Sequence, residues 1–156
     1  MGNWWKGISD QQHRECEERL LEINGLSRDD YRIRNVEIGN GSDDHYIHEI
    51  HVKGNKEGLP TLVMIHGYMS GGIQFCKMLP KLRDHFEVRT IDLLGMGASG
   101  RPQGIKFKSF EDCIGFFIDS INKYVKVSGI AKEGNKFYLL GHSMGGLISG
   151  HYALAH

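Results

Sequence analysis

The chain has 156 residues, with 19 Lys plus Arg against 19 Asp plus Glu, so its formal net charge is zero. That length holds one domain with a sizeable core, and the lack of a basic excess argues against a nucleic-acid partner. Cys16, Cys76 and Cys113 are odd in number and far apart, which argues against a disulfide framework or a zinc site and suits reduced thiols in a cytoplasmic protein.

The first sixteen residues carry no apolar signal core, and no run in the chain approaches a membrane span. Met1-Gly2 invites myristoylation, but Lys6 stands where Ser or Thr is wanted. Trp4 and Trp5 are expected to anchor against the core, with peripheral membrane contact as the alternative. Ile8 to Ile23 reads as a polar helix. "RDDYRIRNVEI" suggests a first strand, and Asn40-Gly41 the tip of the turn after it. The same Asn40-Gly41-Ser42 matches a glycosylation acceptor, which a chain without a signal would not use.

"HYIHEIHVKG" alternates as a strand does. Tyr46, His48, Ile50 and Val52 share one face; His45, Ile47, Glu49 and His51 share the other. The three histidines are therefore split between faces, and no metal is expected on them. "TLVMI" reads as a buried parallel strand. A helix with Phe75, Met78, Leu79, Leu82 and Phe86 on one stripe should follow, kinked or started by Pro80. "EVRTIDLL" is another buried strand. Ser109 with Asp112 resembles a capping box opening a helix whose stripe runs Phe110, Cys113, Ile114, Phe117, Ile121, Tyr124 and Val125, which makes Cys113 a buried, inert thiol. "KFYLL" is a last strand, and a helix begins at Met144. From residue 60 the order is strand, helix three times over, the pattern of a parallel sheet covered by helices: an α/β fold.

Three loops carry the chemistry. Gly141-His142-Ser143-Met144-Gly145 is G-x-S-x-G between an apolar strand and a helix. A serine on so sharp a turn is strained, its neighbours two positions away crowd one another, and the hydroxyl is lifted clear at a helix N-terminus. "MIHGYMSGG" follows the first parallel strand, so its loop lies at the same end of the sheet, where ligands bind. Backbone N–H groups of Tyr68 and Met144 are candidates for an oxyanion hole, with His66, Gly67, Gly141 and Gly145 as supporting motif residues. Gly95-Met96-Gly97-Ala98-Ser99-Gly100 is a literal G-x-G-x-x-G, but Arg101-Pro102 follows where a dinucleotide site needs a helix. No cofactor is expected.

"HGYMSGG", "DLLGMGASGRP" and "GHSMGG" stand in the order and spacing of the α/β-hydrolase fold, and the chain resembles its subfamily of (lyso)phospholipases and N-acylphosphatidylethanolamine lipases. The resemblance covers residues 30 to 156 as the front half of such a domain, with residues 1 to 29 a polar helical segment ahead of it. It implies that Ser143 is the nucleophile, that Tyr68 and Met144 give the oxyanion N–H groups, and that Asp92 and the loop to Arg101 are mainly structural. It further implies a lipid or other acyl-ester substrate and a cytoplasmic protein, peripheral at membranes or lipid droplets.

On this fold the acid and histidine of the triad follow the serine. After Ser143 the chain offers His151 and His156 but no acidic residue. Neither these nor the adjacent His142 suits the task, and His66 is the least poor local candidate for a base. About five of the family's roughly eight strands are visible, and "KFYLL" is left as an exposed edge. The expectation is a fragment of a serine hydrolase, inactive alone. The alternatives are a non-catalytic interaction protein or half of a split enzyme.

Overall fold

The computed structural model describes residues 7, 9–39, 44–131 and 136–156. Trp4, Trp5 and the Asn40-Gly41 tip fall outside the described residues. Helix α1 (Asp10–Ile23) starts at Ser9, whose hydroxyl accepts the Gln12 N–H at 3.2 Å while the Gln12 side chain accepts the Ser9 N–H at 3.0 Å. This reciprocal box satisfies donors that the first helical turn leaves without intrahelical acceptors. Five strands follow in chain order: β1 (Tyr31–Glu37), β2 (Tyr46–Val52), β3 (Thr61–Ile65), β4 (Glu87–Ile91) and β5 (Phe137–Gly141). Between and after them come α2 (Leu79–Leu82), α3 (Phe110–Val127) and α4 (Met144–Ala155).

The strands form one sheet in the order β1-β2-β4-β3-β5. The β1, β2 and β4 neighbours run antiparallel, and β4, β3 and β5 run parallel. The carboxyl ends of β3, β4 and β5 therefore open onto one edge, where the three Gly-rich loops meet. Alternation along each strand serves two cores. Ile47, Val63, Ile65 and Ile91 face α3 and α4, whereas Ile50, Val52, Leu62, Met64 and Val88 face α1 and α2. Both faces of β2 are buried, with His48 and Glu49 taken into the interior. β5 ends the described sheet, and its Tyr138 is exposed.

Two elements differ from their sequence reading. The helix expected around Phe75 to Phe86 is a 3₁₀ turn (Gly72–Phe75) and then the single turn α2, with Pro80 in its first turn. The Gly72 N–H is drawn to the buried Asp92 carboxylate, and Pro80 has no N–H to carry a helix through, so the stretch breaks. Phe75 and Leu79 still reach the core, but Met78 is exposed. At α3 the Ser109 hydroxyl caps Asp112 N–H at 3.1 Å, while the Asp112 carboxylate accepts from Lys108 rather than from Ser109. The α3 stripe seats Phe117, Ile121, Tyr124 and Val125 fully, about 1.5–3 kcal/mol each by area. Phe110 is exposed and Cys113 only half-buried, because the first turn of α3 overhangs the core.

Candidate active site

Ser143 has φ 54° and ψ −120°, a backbone conformation that costs a non-glycine residue about 1–3 kcal/mol. The turn is held by its surroundings. The His142 N–H bonds to Ile65 O at 3.0 Å, tying the loop to the end of β3, and the Gly145 N–H closes onto His142 O at 2.9 Å. A Cβ on Gly141 would lie 2.2 Å from Gly145 O, and one on Gly145 would lie 2.3 Å from Ile65 O. Only glycines let the strand, the turn and α4 approach so closely. Ser143 is exposed and its hydroxyl caps nothing in α4. Among the described residues, Gly146 and Leu147 donate to Ser143 O, and the Met144 N–H has no backbone acceptor.

The loop after β3 runs beside this serine. A Cβ on Gly67 would sit 3.2 Å from Ser143 Cβ and 2.9 Å from His142 Nδ1. Tyr68 and Met69 then project into solvent, Met69 with φ 54°. Met69 and Ser143 are the non-glycine residues with positive φ among the described residues, and both stand on this edge. The strain at Met69 went unseen in the sequence, since "YMSGG" reads as an ordinary turn.

His66 is fully buried, which removes it as a base for Ser143. Its Nε2 accepts the Leu93 N–H at 2.9 Å, and its Nδ1 donates to Gly67 O at 2.7 Å. Both ring nitrogens are spent on stapling the loop after β3 to the loop after β4. His151 packs against Phe110, and His156 stacks on Tyr152 at 4.4 Å, so both stay with α4 and α3. Among the described residues no histidine or carboxylate hydrogen-bonds the Ser143 hydroxyl.

The glycine-rich loop Gly95–Gly100 folds around Asp92 instead of a phosphate. Asp92 is buried; its carboxylate accepts N–H groups of Gly72 and, at 2.7 Å, Ala98. A Cβ on Gly97 would fall 2.0 Å from the same carboxylate. Ser99, passed over in the sequence, links the loop to β2: its hydroxyl donates to Asp92 O at 2.6 Å and accepts the His48 N–H at 2.8 Å. The G-x-G-x-x-G signature is thus filled by the chain's own carboxylate.

Residues 60–156 match the family described as alpha/beta hydrolase fold. The chain belongs to that family. A 1-acylglycerol-3-phosphate O-acyltransferase of Arabidopsis thaliana is 35% identical over 154 residues, covering 90% of this chain and 35% of the relative. The human enzyme of the same name is 30% identical over 142 residues, covering 90% and 37%. The chain thus spans about a third of the length of the curated relatives it matches. Among solved α/β hydrolases, the naproxen esterase of Bacillus subtilis superposes with a TM-score of 0.70 at 16% identity, over 96% of this chain and 47% of that one. A bacterial membrane phospholipase A gives 0.66 at 24%, over 92% and 39%. At these identities the two structures establish the fold. Among the described residues no helix is long and apolar enough to cross a membrane.

Proposed function

We propose that this chain carries the nucleophile and oxyanion hole of a serine enzyme acting on lipid acyl esters. The carrying observation is Ser143, held exposed at φ 54° between two glycines that admit no side chain. In this reading Ser143 Oγ attacks the acyl carbonyl and loses its proton to a base. Charge builds on the carbonyl oxygen, stabilised by the N–H groups of Tyr68 and Met144. The C–O bond to the leaving alcohol breaks, the alcohol takes up the proton, and the acyl group remains on Ser143. The strain at Ser143 and the dipole of α4 support the assignment, because both favour an exposed nucleophile at a helix N-terminus. His66 is spent on the scaffold and so is not that base.

The relatives named as acyltransferases favour transfer of the acyl group to a lysophospholipid hydroxyl, with transfer to water as the competing outcome. The test is labelling of the protein at its native length by a fluorophosphonate probe and, on separate unlabelled protein, incubation with an isotopically labelled acyl-ester lipid as donor and 1-acylglycerol-3-phosphate as acceptor. Labelling at Ser143, lost in Ser143→Ala, and formation of a diacyl product are expected. Release of free fatty acid alone would make the enzyme a hydrolase. Absence of labelling, or labelling that survives Ser143→Ala, overturns the serine mechanism in favour of an interaction protein or a split enzyme.

A further inference from the structure

On the α1 face of the sheet, three side chains from distant parts of the sequence converge. His13 and Glu17 lie one turn apart on α1 and so share a helix face. His48 rises from β2 toward them. The His48 Nε2 lies 2.9 Å from Glu17 Oε2, and His13 Nδ1 lies 3.6 Å from the same oxygen. All three donor atoms fall within 4.8 Å of one another. Glu17 and His48 are buried, while the side chain of His13 is 39% exposed, so the cluster is closed below and open above.

We propose that His13, Glu17 and His48 form a binding site for a zinc-class divalent transition metal that clamps α1 to the sheet. Two imidazoles and one carboxylate are a donor set that suits Zn²⁺ and its neighbours and discriminates against Ca²⁺ and Mg²⁺, which require oxygen. Ligand atoms about 2.0–2.2 Å from a tetrahedral ion stand about 3.3 Å from each other. The two contacts to Glu17 Oε2, 2.9 and 3.6 Å, bracket that value, and the two imidazole nitrogens, within 4.8 Å of each other, close on the ion as it enters.

The outer contacts fit as well. Asn35 lies directly opposite His48 in the β1–β2 register, and its Oδ1 is 2.8 Å from His48 Nδ1. A proton on Nδ1 donated to Asn35 leaves Nε2 as the atom facing Glu17, the arrangement that orients metal-binding histidines. An ion pair alone needs only Glu17 and His48; the third nitrogen, aimed at the same carboxylate oxygen, is what a metal site adds. Two opposing charges, Arg14 and Arg34, line the adjoining cavity; the Arg14 guanidinium is engaged by Glu18 and Ile33 O, each at 3.3 Å, and that of Arg34 by Glu49 at 2.7 Å.

The cluster stands in the wall between two cavities. One, of about 170 Å³, is bordered by His13, Asn35 and His48. The other, of about 580 Å³, is bordered by His13, Glu17, Tyr68, Met69 and Gly97. A metal here leaves its fourth position to water from the open His13 side and braces the helix next to the Tyr68 loop. As the ion binds, the proton held between His48 Nε2 and Glu17 leaves to solvent.

The test needs no catalytic readout. Tag-free protein at native length, stripped with EDTA, is titrated with Zn²⁺ against a chromophoric chelator, and then with Co²⁺ under a spectrophotometer. One Zn²⁺ per chain is expected, with visible d–d absorption for Co²⁺ in a four-coordinate site. His13→Ala, at a half-exposed helix position where the fold tolerates it, should lower the affinity at least tenfold. Asn35→Ala should lower it about 10–100-fold through the lost orientation of His48. Failure of the parent protein to bind Zn²⁺ overturns the proposal. So does stoichiometric binding that His13→Ala leaves unchanged, since the ion then sits elsewhere.

Discussion

At the carboxyl end of β5 the chain holds Ser143 in a strained turn with its hydroxyl exposed. In the middle of β2, ten or so ångströms' worth of strand from any loop, it holds Glu49 with no exposure at all. Every oxygen of Glu49 is engaged: Arg34 Nε at 2.7 Å, Arg89 at 2.9 Å and the Tyr124 hydroxyl. Burial pushes the Glu49 pKa up, but the Arg34 hydrogen bond and the charge of Arg89 outweigh it and hold the carboxyl below its usual range. The same burial, with the Glu49 charge beside it, pushes the Tyr124 phenol well above its ordinary value. A reactive group left without partners and a charged group saturated with them mark the difference between a place for chemistry and a place for assembly.

The largest way to break this comparison is at the serine. Ser143→Ala should cost at least ~10³-fold in turnover of the native-length protein while leaving its melting temperature within a few degrees; a normal rate would sink the contrast. Gly145→Ala puts a methyl 2.3 Å from Ile65 O, against backbone that cannot yield, and should destabilise by roughly 3 kcal/mol or more in urea denaturation. Glu49→Gln leaves two guanidinium groups facing a neutral amide and should cost about 3–5 kcal/mol; a loss under about 1 kcal/mol would mean the network is dispensable. Ser143→Gly relieves the positive φ and should raise stability by about 1 kcal/mol as it abolishes labelling, the trade expected where strain serves function.

The finest prediction concerns pH. Burial pulls the His48 pKa down, yet the hydrogen bond and charge of Glu17 more than offset it, and the ring stays protonated above its ordinary value of 6.5. In metal-free protein its contribution to docking α1 is complete below 6.5 and fades as pH rises through the raised value. Glu49 has the opposite sign, contributing fully above its ordinary value of 4.5 and losing that contribution as pH falls through its lowered value. Hydrogen exchange should therefore show α1 loosening first on the alkaline side, and the β1–β2–β4 interior first in acid. Synchronous loosening of both in either direction would contradict the division.

Much of this was legible in the chain because it is local. Apolar runs such as "TLVMI" mark buried strands by composition alone, Ser109 announces a helix start, and the need for Gly141 beside Ser143 is set by crowding inside one turn. The helix expected across Phe75 to Phe86 was shortened by a local cause and a non-local one: Pro80 restarts the chain as the single turn α2, and Asp92, past the end of β4, holds the Gly72 N–H ahead of it. His66 looked like a spare imidazole because its two partners come from another loop and from its own neighbour's carbonyl.

By itself, then, the sequence determined most of the elements, the α/β class and the G-x-S-x-G turn that lifts Ser143, since each rests chiefly on residues a few positions apart. Only the tertiary structure decided who meets whom. The order β1-β2-β4-β3-β5 carries Glu49 between Arg34 and Arg89, and lays α1 over β2 so that His48 meets Glu17, 31 positions earlier. Those meetings follow from which faces must be buried and which strands can lie side by side, and periodicity along a single segment holds no record of that choice.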